Sequence, residues 1–282
     1  MKEIVVAIDF SDCSVNALEH AVNIAMKSDL DVKMVWVNNP NVSKISISSD
    51  KSDELIKEIS DQFEKLRTKY EGDFKKSNFS YKIREGIIYK EIISEARESN
   101  AKMIVMGTHG TSGYELFLIG SNANRVVANA PCPIITIRGD RQVNRNLSKI
   151  VLPIDSTSET RQKVPFTASL AKLYNAEIYI LGLFTSKVEE VRHIVKQYVK
   201  QTAQYLEDEQ ICYKTEFMTS DNITKNVIEY AGKVDANLIS IMVRQEKVAS
   251  NMWLGSYAQQ MINHSPIPVL TIHEKELMAT KS

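Results

Sequence analysis

The chain contains an internal repeat, and the size of the repeat limits the folds that the chain can adopt. Residues 2–9 (KEIVVAID) correspond to residues 149–155 (KIVLPID), with an offset of 146 between Asp9 and Asp155. Residues 130–138 (APCPIITIR) correspond to residues 265–273 (SPIPVLTIH), with an offset of 135. Each copy therefore has the size of one compact domain. The 11 residues that the second copy lacks fall opposite residues 39–53, whose polar, Ser-rich composition predicts a surface loop.

Both copies alternate short apolar runs with helical patterns, which predicts parallel sheets covered by helices on both faces. In the first copy, the predicted strands are 3–9, 31–38, 79–86, 102–107 and 133–138, and the predicted helices are 54–70, 89–99, 121–130 and one that begins after Ser11 as N-cap. In the second copy, the predicted strands are 149–154, 178–184, 213–219, 237–242 and 268–272. We expect an α/β protein with two tandem open five-stranded parallel sheets, in domains 1–140 and 149–275 joined by a linker over 141–148.

Charge and cysteine content exclude several classes of protein. The chain has 35 basic and 35 acidic residues, whereas a dedicated nucleic-acid binder usually has a clearly basic domain. Cys13, Cys132 and Cys212 are too widely spaced for a disulfide framework or a CxxC metal site. The N-terminal apolar run is too short for a signal peptide, and no run approaches the ~18 residues of a membrane span. We expect a cytoplasmic protein that binds neither nucleic acid nor a membrane.

A glycine-rich segment lies between the fourth strand and the next helix of the first copy. It reads MGTHGTSGYELFLIGSNANR over residues 106–125. Gly107 and Gly110 would let a turn expose its N–H groups. Gly120 and Ser121 would open a helix whose N-terminus attracts anions, with Ser121 as cap and as hydroxyl donor to phosphate. An ordinary loop is the alternative, but the spacing before a helix favours a phosphate cradle.

These motifs resemble the universal stress protein family. The resemblance lies in VAID, GTHGTSGYELFLIGS and APCPIITIR, and it extends over both copies as in a tandem member. It implies a strand order of 3-2-1-4-5 and ATP as a ligand, with or without Mg²⁺. The resemblance implies that Asp9 and Val37 hold the adenine and ribose, that Gly107, Gly110, Gly120 and Ser121 hold the phosphates, and that Met106, His109 and Asn122 line the loop.

The second copy departs from this pattern. Met242, Gln245 and Val248 stand where the first copy has Gly107, Gly110 and Gly113, and Arg244 replaces His109. Only the pair Gly255-Ser256 is kept. Side chains at these positions disfavour the turn, so we expect one nucleotide per chain, in the first copy. Asp155 is then better explained as a helix-capping turn residue.

The fifth strand of each copy lies at the edge of its sheet if the family's strand order holds. An apolar edge strand is a template for pairing. We therefore expect strand 133–138 to pair antiparallel with strand 268–272, so that one chain imitates a symmetric dimer. Whether two chains associate further into a homodimer stays open.

Three functions remain open from the sequence. The first is a non-enzymatic, nucleotide-dependent role in stress response or signalling. The second is a slow ATPase, autokinase or adenylyl-type transferase, for which only His109 and Asp9 are candidates, since no Walker A motif is present. The third is a nucleotide-free scaffold whose second copy binds an unknown protein or an apolar ligand. We assign no catalytic residue and no metal ligand.

Overall fold

The computed structural model of the chain describes residues 3–39, 49–70, 72, 78–109, 120–138, 146–243, 245–248 and 251–274. Gly110 and Gly113, residues 40–48 of the predicted loop and residues 139–145 around the predicted linker lie outside the described residues. At the far end of that linker, the Leu147 side chain is buried and the Ser148 hydroxyl donates to Asn237 Oδ1 at 3.0 Å. The last linker residues therefore pack against the second copy.

The first copy forms the elements that its periodicity predicts. They are β1 (Glu3–Ala7), α1 (Asp12–Ser28), β2 (Asp31–Asn38), α2 (Ser49–Tyr70), β3 (Phe79–Glu85), α3 (Ile88–Glu98), β4 (Met103–Gly107), α4 (Ser121–Asn129) and β5 (Ile134–Ile137). Ser11 is the N-cap of α1, as predicted, and its hydroxyl accepts from the Ser14 N–H. The predicted loop is partly wrong, because α2 already begins at Ser49.

The second copy repeats this order, with a 3₁₀ turn before its first helix and an extra hairpin after its fourth strand. Its elements are β6 (Lys149–Ile154), α5 (Val164–Tyr174), β7 (Glu177–Phe184), α6 (Glu189–Asp208), β8 (Tyr213–Thr219), α7 (Ile223–Lys233), β9 (Leu238–Val243), β10 (Gln245–Val248), β11 (Asn251–Leu254), α8 (Ser256–His264) and β12 (Val269–His273). A 3₁₀ turn over Ser158–Arg161 replaces the first residues of the equivalent helix, so that α5 begins six positions later than α1. β10 and β11 form an antiparallel hairpin that the sequence did not predict, and β11 packs against α4 of the first copy.

All strands outside this hairpin join one sheet of ten strands. The order is β3-β2-β1-β4-β5-β12-β9-β6-β7-β8. Each copy therefore has the strand order 3-2-1-4-5 that the resemblance implied. The expectation of two separate sheets is wrong, because β5 and β12 pair antiparallel and make the sheet continuous. This pairing was predicted, and it satisfies backbone groups that two open edges would leave unpaired.

The seam between the copies is close to symmetric. Ile135 lies opposite Leu270 at its centre. The Thr136 hydroxyl donates to the Val269 carbonyl, and the Thr271 hydroxyl donates to the Ile134 carbonyl, each at 3.3 Å. Each strand thus offers the same threonine to the other, as expected when two copies of one fold meet around a pseudo-two-fold axis.

Helices cover both faces of the sheet. Residues of α1, α2, α5 and α6 share one apolar core, and residues of α3, α4, α7 and α8 share the other. The strands between these layers are buried on both faces, which explains their continuous apolar runs. None of the helices in the described part of the chain is long and apolar enough to cross a membrane.

Candidate functional site

A cleft of about 450 Å³ lies at the carboxyl ends of β1, β2 and β4. This is the edge of a parallel sheet at which ligands usually bind. Eight of the nine residues predicted for the site line it: Asp9, Val37, Met106, Gly107, His109, Gly120, Ser121 and Asn122. The ninth, Gly110, is outside the described residues. Residues that are distant in the sequence thus meet in one place.

Asp9 is held by a short turn two residues beyond β1. Its Oδ1 accepts from the Ser11 N–H at 3.0 Å and from the Ser11 hydroxyl at 2.5 Å. Its own N–H donates to Ser14 Oγ at 3.3 Å. Phe10, inside this turn, has a φ of 62°, which is rare for a bulky residue, and its ring packs edge-on against Phe63. The turn therefore orients the Asp9 carboxylate without any ligand.

The N-terminus of α4 opens onto the cleft. Gly120 is its N-cap, and no side chain caps the helix. The prediction that Ser121 is the cap is wrong, because Ser121 is the first helical residue and its side chain is exposed. The first helical hydrogen bond runs from the Asn124 N–H to the Gly120 carbonyl. The N–H groups of Ser121, Asn122 and Ala123 have no partner in the helical ladder and are available to an anion.

Two glycines of the predicted cradle, Gly107 and Gly120, have roles in packing and in backbone hydrogen bonding. Gly107 is the last residue of β4, and a Cβ there would lie 2.6 Å from Cys13 Sγ. Its lack of a side chain is therefore required by close packing against α1, and not by a turn as predicted. The Gly120 N–H donates to the Thr108 carbonyl at 2.9 Å, so this amide is not available to a phosphate.

His109 follows β4 and lines the cleft. Its Nδ1 lies 2.8 Å from the Thr108 hydroxyl, and Thr108 is buried. Thr108 is not among the predicted site residues, because a threonine beside glycines has no distinctive sequence pattern. The described residues contain no group of three or more His, Cys, Asp or Glu side chains that could hold a metal ion.

One wall of the cleft is apolar. Its side chains come from β2 and α3: Val35, Trp36, Val37, Ile88 and Ile92. An apolar wall beside a few polar groups is typical of small-molecule sites. Ile88 and Ile92 were missed, although their spacing of four residues on α3 marks one face of a helix and was readable in the sequence.

The equivalent cleft of the second copy is smaller, at about 260 Å³. Met242 stands at the position of Gly107, and Tyr257 at the position of Asn122. Asp155 makes the same turn as Asp9, because its Oδ1 accepts from the Thr157 N–H at 2.8 Å and from the Thr157 hydroxyl at 2.6 Å. The expectation that Asp155 caps a helix is wrong, since the N-cap of the 3₁₀ turn is Thr157.

Comparison with known proteins now adds to this geometry. The sequence pattern of the universal stress protein family matches residues 1–138 and again residues 146–273. The chain belongs to the universal stress protein family. The two matches make it a tandem universal stress protein, with one copy of the family fold on each side of the seam.

Individual relatives of this universal stress protein belong to the same family. A universal stress protein of Methanocaldococcus jannaschii is 34% identical over 146 residues, which cover 49% of this chain and 82% of that protein. Universal stress protein YxiE of Bacillus subtilis is 27% identical over 145 residues, which cover 48% of this chain and 98% of that protein. The crystal structure of a universal stress protein from Archaeoglobus fulgidus matches 97% of both chains with a TM-score of 0.78, at 19% identity. The two-copy fold as a whole therefore recurs in a solved structure.

Proposed function

We propose that this universal stress protein binds one molecule of ATP in the first cleft and acts in stress response or signalling as a nucleotide-dependent protein, not as an enzyme. The observation that carries the proposal is the uncapped N-terminus of α4, which opens onto a cleft of about 450 Å³. A helix end of this kind attracts phosphate through its amide groups and its dipole. The family membership supports the same ligand.

The phosphates would lie against the first turn of α4. The amides of Ser121, Asn122 and Ala123 would donate to their oxygens, together with the exposed Ser121 hydroxyl. Gly110 keeps the role that the resemblance gave it, as a proposal. A Mg²⁺ ion would have to arrive with the phosphates, since no cluster of candidate metal ligands exists among the described residues.

The base and the ribose would lie at the other end of the cleft. Val37 and its apolar neighbours from β2 and α3 offer a surface for a planar ring. The Asp9 carboxylate, oriented by its turn with Ser11, would accept a hydrogen bond from the adenine amine or a ribose hydroxyl. Met106 and Asn122 would complete the walls.

We assign ATP the role of a ligand because the cleft offers little to a catalyst. Asp9 and His109 are the ionisable side chains among the described residues that line it. Asp9 is engaged by Ser11, and His109 by Thr108. Typical enzymes turn over about 1–1,000 times per second, and we expect ATP hydrolysis by this chain to be far slower. A faster rate that is abolished by His109→Ala would favour the slow ATPase or autokinase instead.

The experiment compares one serine in the two copies. Ser121 and Ser256 are both exposed first residues of a helix behind a glycine N-cap. Glu at either position is compatible with the helix dipole, so both variants should fold. By isothermal titration, the wild-type chain should bind one ATP, Ser121→Glu should weaken binding about tenfold or more by charge repulsion, and Ser256→Glu should leave binding unchanged.

Three results would contradict the proposal. They are a stoichiometry of two, unchanged affinity in Ser121→Glu, and lost affinity in Ser256→Glu. The nucleotide released on denaturing the purified protein gives an independent reading, and its absence together with no titratable binding would favour the nucleotide-free scaffold.

A cytoplasmic location belongs to the same proposal. It rests on the three cysteines, all of which are free thiols in the structure, because secreted proteins more often pair their cysteines.

A further inference from the structure

We propose that the second cleft is a separate binding site for a small organic monoanion, a carboxylate with a short apolar body, with Lys163 as its cation. This site lies in the second copy, and the proposal is independent of ATP binding in the first. Lys163 stands where the first copy has Ala17, directly before α5, and it lines the cleft. The second cleft thus has a lysine, whereas the described residues that line the first cleft include none.

Lys163 is buried, and its hydrogen-bond partners among the described residues are uncharged. Only 2% of its surface is exposed. Its Nζ donates to the Thr160 carbonyl at 2.6 Å and to the Thr160 hydroxyl at 3.1 Å, which uses two of its three N–H groups. Across the described parts of the chain, no carboxylate lies within ion-pair distance of Nζ. A buried ammonium that contacts only uncharged oxygens is costly, and an anion in the cleft would relieve that cost.

The ammonium stays mostly charged at neutral pH. Burial lowers the pKa of Lys163 to about 8, and the nearby Asp155 carboxylate opposes this lowering. At pH 7 about nine in ten lysines with such a pKa carry a proton. The cleft therefore offers a positive charge, with a third N–H for a ligand.

Other groups in the cleft suit one carboxylate. Gly255 is the N-cap of α8, and no side chain caps this helix. The first helical hydrogen bond runs from the Gln259 N–H to the Gly255 carbonyl. The N–H groups of the first turn of α8 can therefore donate to an anion. Burial, aided by Asp155, raises the pKa of the Tyr257 hydroxyl, which lines the cleft as a neutral donor.

The second cleft favours a ligand smaller than a nucleoside triphosphate. Its volume of about 260 Å³ is below that of the first cleft, because Met242 and Tyr257 stand at the positions of Gly107 and Asn122. Leu183, Ile223 and Ile241 form an apolar wall that fits a chain of a few carbons.

The test is an NMR titration of the full chain labelled on lysine. The probes are straight-chain carboxylates from acetate to octanoate, the primary amides of the same lengths, and inorganic phosphate. We expect a carboxylate of intermediate length to shift the Lys163 side-chain signals and to raise the Lys163 pKa, because an anion favours the charged ammonium. The matched amide should bind about tenfold more weakly or worse, since it lacks the charge.

Two lysine variants distinguish carboxylate binding in the cleft from binding to surface charge. Lys163→Met keeps the length of the side chain and removes the charge, and it should weaken carboxylate binding by about tenfold or more. Lys172→Met, at an exposed position of α5, should leave carboxylate binding unchanged. Both variants should keep the ATP affinity of the first cleft.

The proposal is overturned if no carboxylate binds, if phosphate alone binds, or if Lys163→Met binds carboxylate as well as the wild type does. If Lys163→Met does not fold, the wild-type titration still decides, because Lys163 signals that stay unchanged at saturating carboxylate concentration contradict the site.

Discussion

The first cleft measures about 450 Å³ and the second about 260 Å³, although the same backbone features frame both. Asp9 and Asp155 form the same turn, and the N-caps Gly120 and Gly255 have nearly the same φ and ψ, −56° and 144° against −57° and 147°. The difference arises from side chains that project between these features. The same backbone can therefore frame clefts that differ in size and lining when a few side chains differ.

One of these changes is coupled to a change in a helix. In the first copy, α1 starts early and brings Cys13 so close to β4 that only Gly107 fits. In the second copy, the 3₁₀ turn Ser158–Arg161 replaces the start of that helix and packs against β9. Met242, at the position of Gly107, lies in β9. The copy without this glycine thus also lacks the helical turn that requires it.

The opposite layer differs as well. In the first copy, the buried Glu95 of α3 receives Lys33 at 3.1 Å, Lys82 at 2.6 Å and Arg84 at 2.5 Å. Burial acts to raise the pKa of Glu95, but the hydrogen bonds from these three cations outweigh it, and the pKa is lowered. The equivalent of Glu95 in the second copy is Tyr230, also buried, where burial foremost raises the pKa to about 12. The shared carboxylate of the ionic cluster in one copy is thus replaced by a buried tyrosine in the other.

The largest expected effect comes from separating the copies at their seam. Ile135→Pro removes a backbone donor in a strand with neighbours on both sides, and we expect it to lower the free energy of unfolding by about 3 kcal/mol or more. Urea denaturation followed by circular dichroism should then show the two copies unfolding in separate transitions. The control Ile135→Val should cost about 1 kcal/mol. Equal stability of the two variants would mean that the seam contributes little.

A second prediction compares the ionic cluster with its aromatic counterpart. Glu95→Ala removes the carboxylate that three cations share. These cations keep Glu3, Glu91 and Glu98 as partners, so we expect a loss of about 2 kcal/mol in the free energy of unfolding. Tyr230→Phe removes one hydroxyl, for which we expect about 1 kcal/mol or less. The two losses are measured by urea denaturation at pH 7. If they are similar, the copies do not differ in what stabilises this layer.

The same cluster predicts a dependence on pH. The pKa of Glu95 in the folded chain is lower than its unfolded value of about 4.3, so the stability from its charge is complete above about pH 5 and is lost as the pH falls through the folded value. The difference in free energy of unfolding between the wild type and Glu95→Gln should therefore shrink from pH 7 to pH 3. A difference that stays constant over this range would show that the Glu95 charge has no such role.

The smallest expected effect distinguishes the two turns. Ser11 caps a helix of 17 residues and also bonds Asp9, so Ser11→Ala should cost about 1 kcal/mol. Thr157 bonds Asp155 but makes no side-chain cap, so Thr157→Ala should cost about half as much. Thermal unfolding of the two variants measures the difference. A larger loss of stability in Thr157→Ala than in Ser11→Ala would contradict our assignment of a capping hydrogen bond to Ser11 alone of the two.

Much of the fold was predictable because it depends on local periodicity. The strands and helices of the first copy, the cap at Ser11 and the pairing of β5 with β12 were all inferred from the sequence and from the family resemblance. The early start of α2 and the hairpin of β10 and β11 were missed. The hairpin packs on α4 of the other copy, and a contact between distant segments leaves no mark in local periodicity.

The repeat, the order of the elements and eight of the residues that line the first cleft could be inferred from the sequence, because spacing, chain order and family motifs are properties of the chain. The need for a glycine at position 107 is visible only in the folded structure, because a Cβ there would lie 2.6 Å from Sγ of Cys13, a residue far away in the sequence. The tertiary structure also decided that Lys163 is buried in a cleft. A lysine in a sequence is most often solvated, and only the packing of neighbouring elements removes water from its charge.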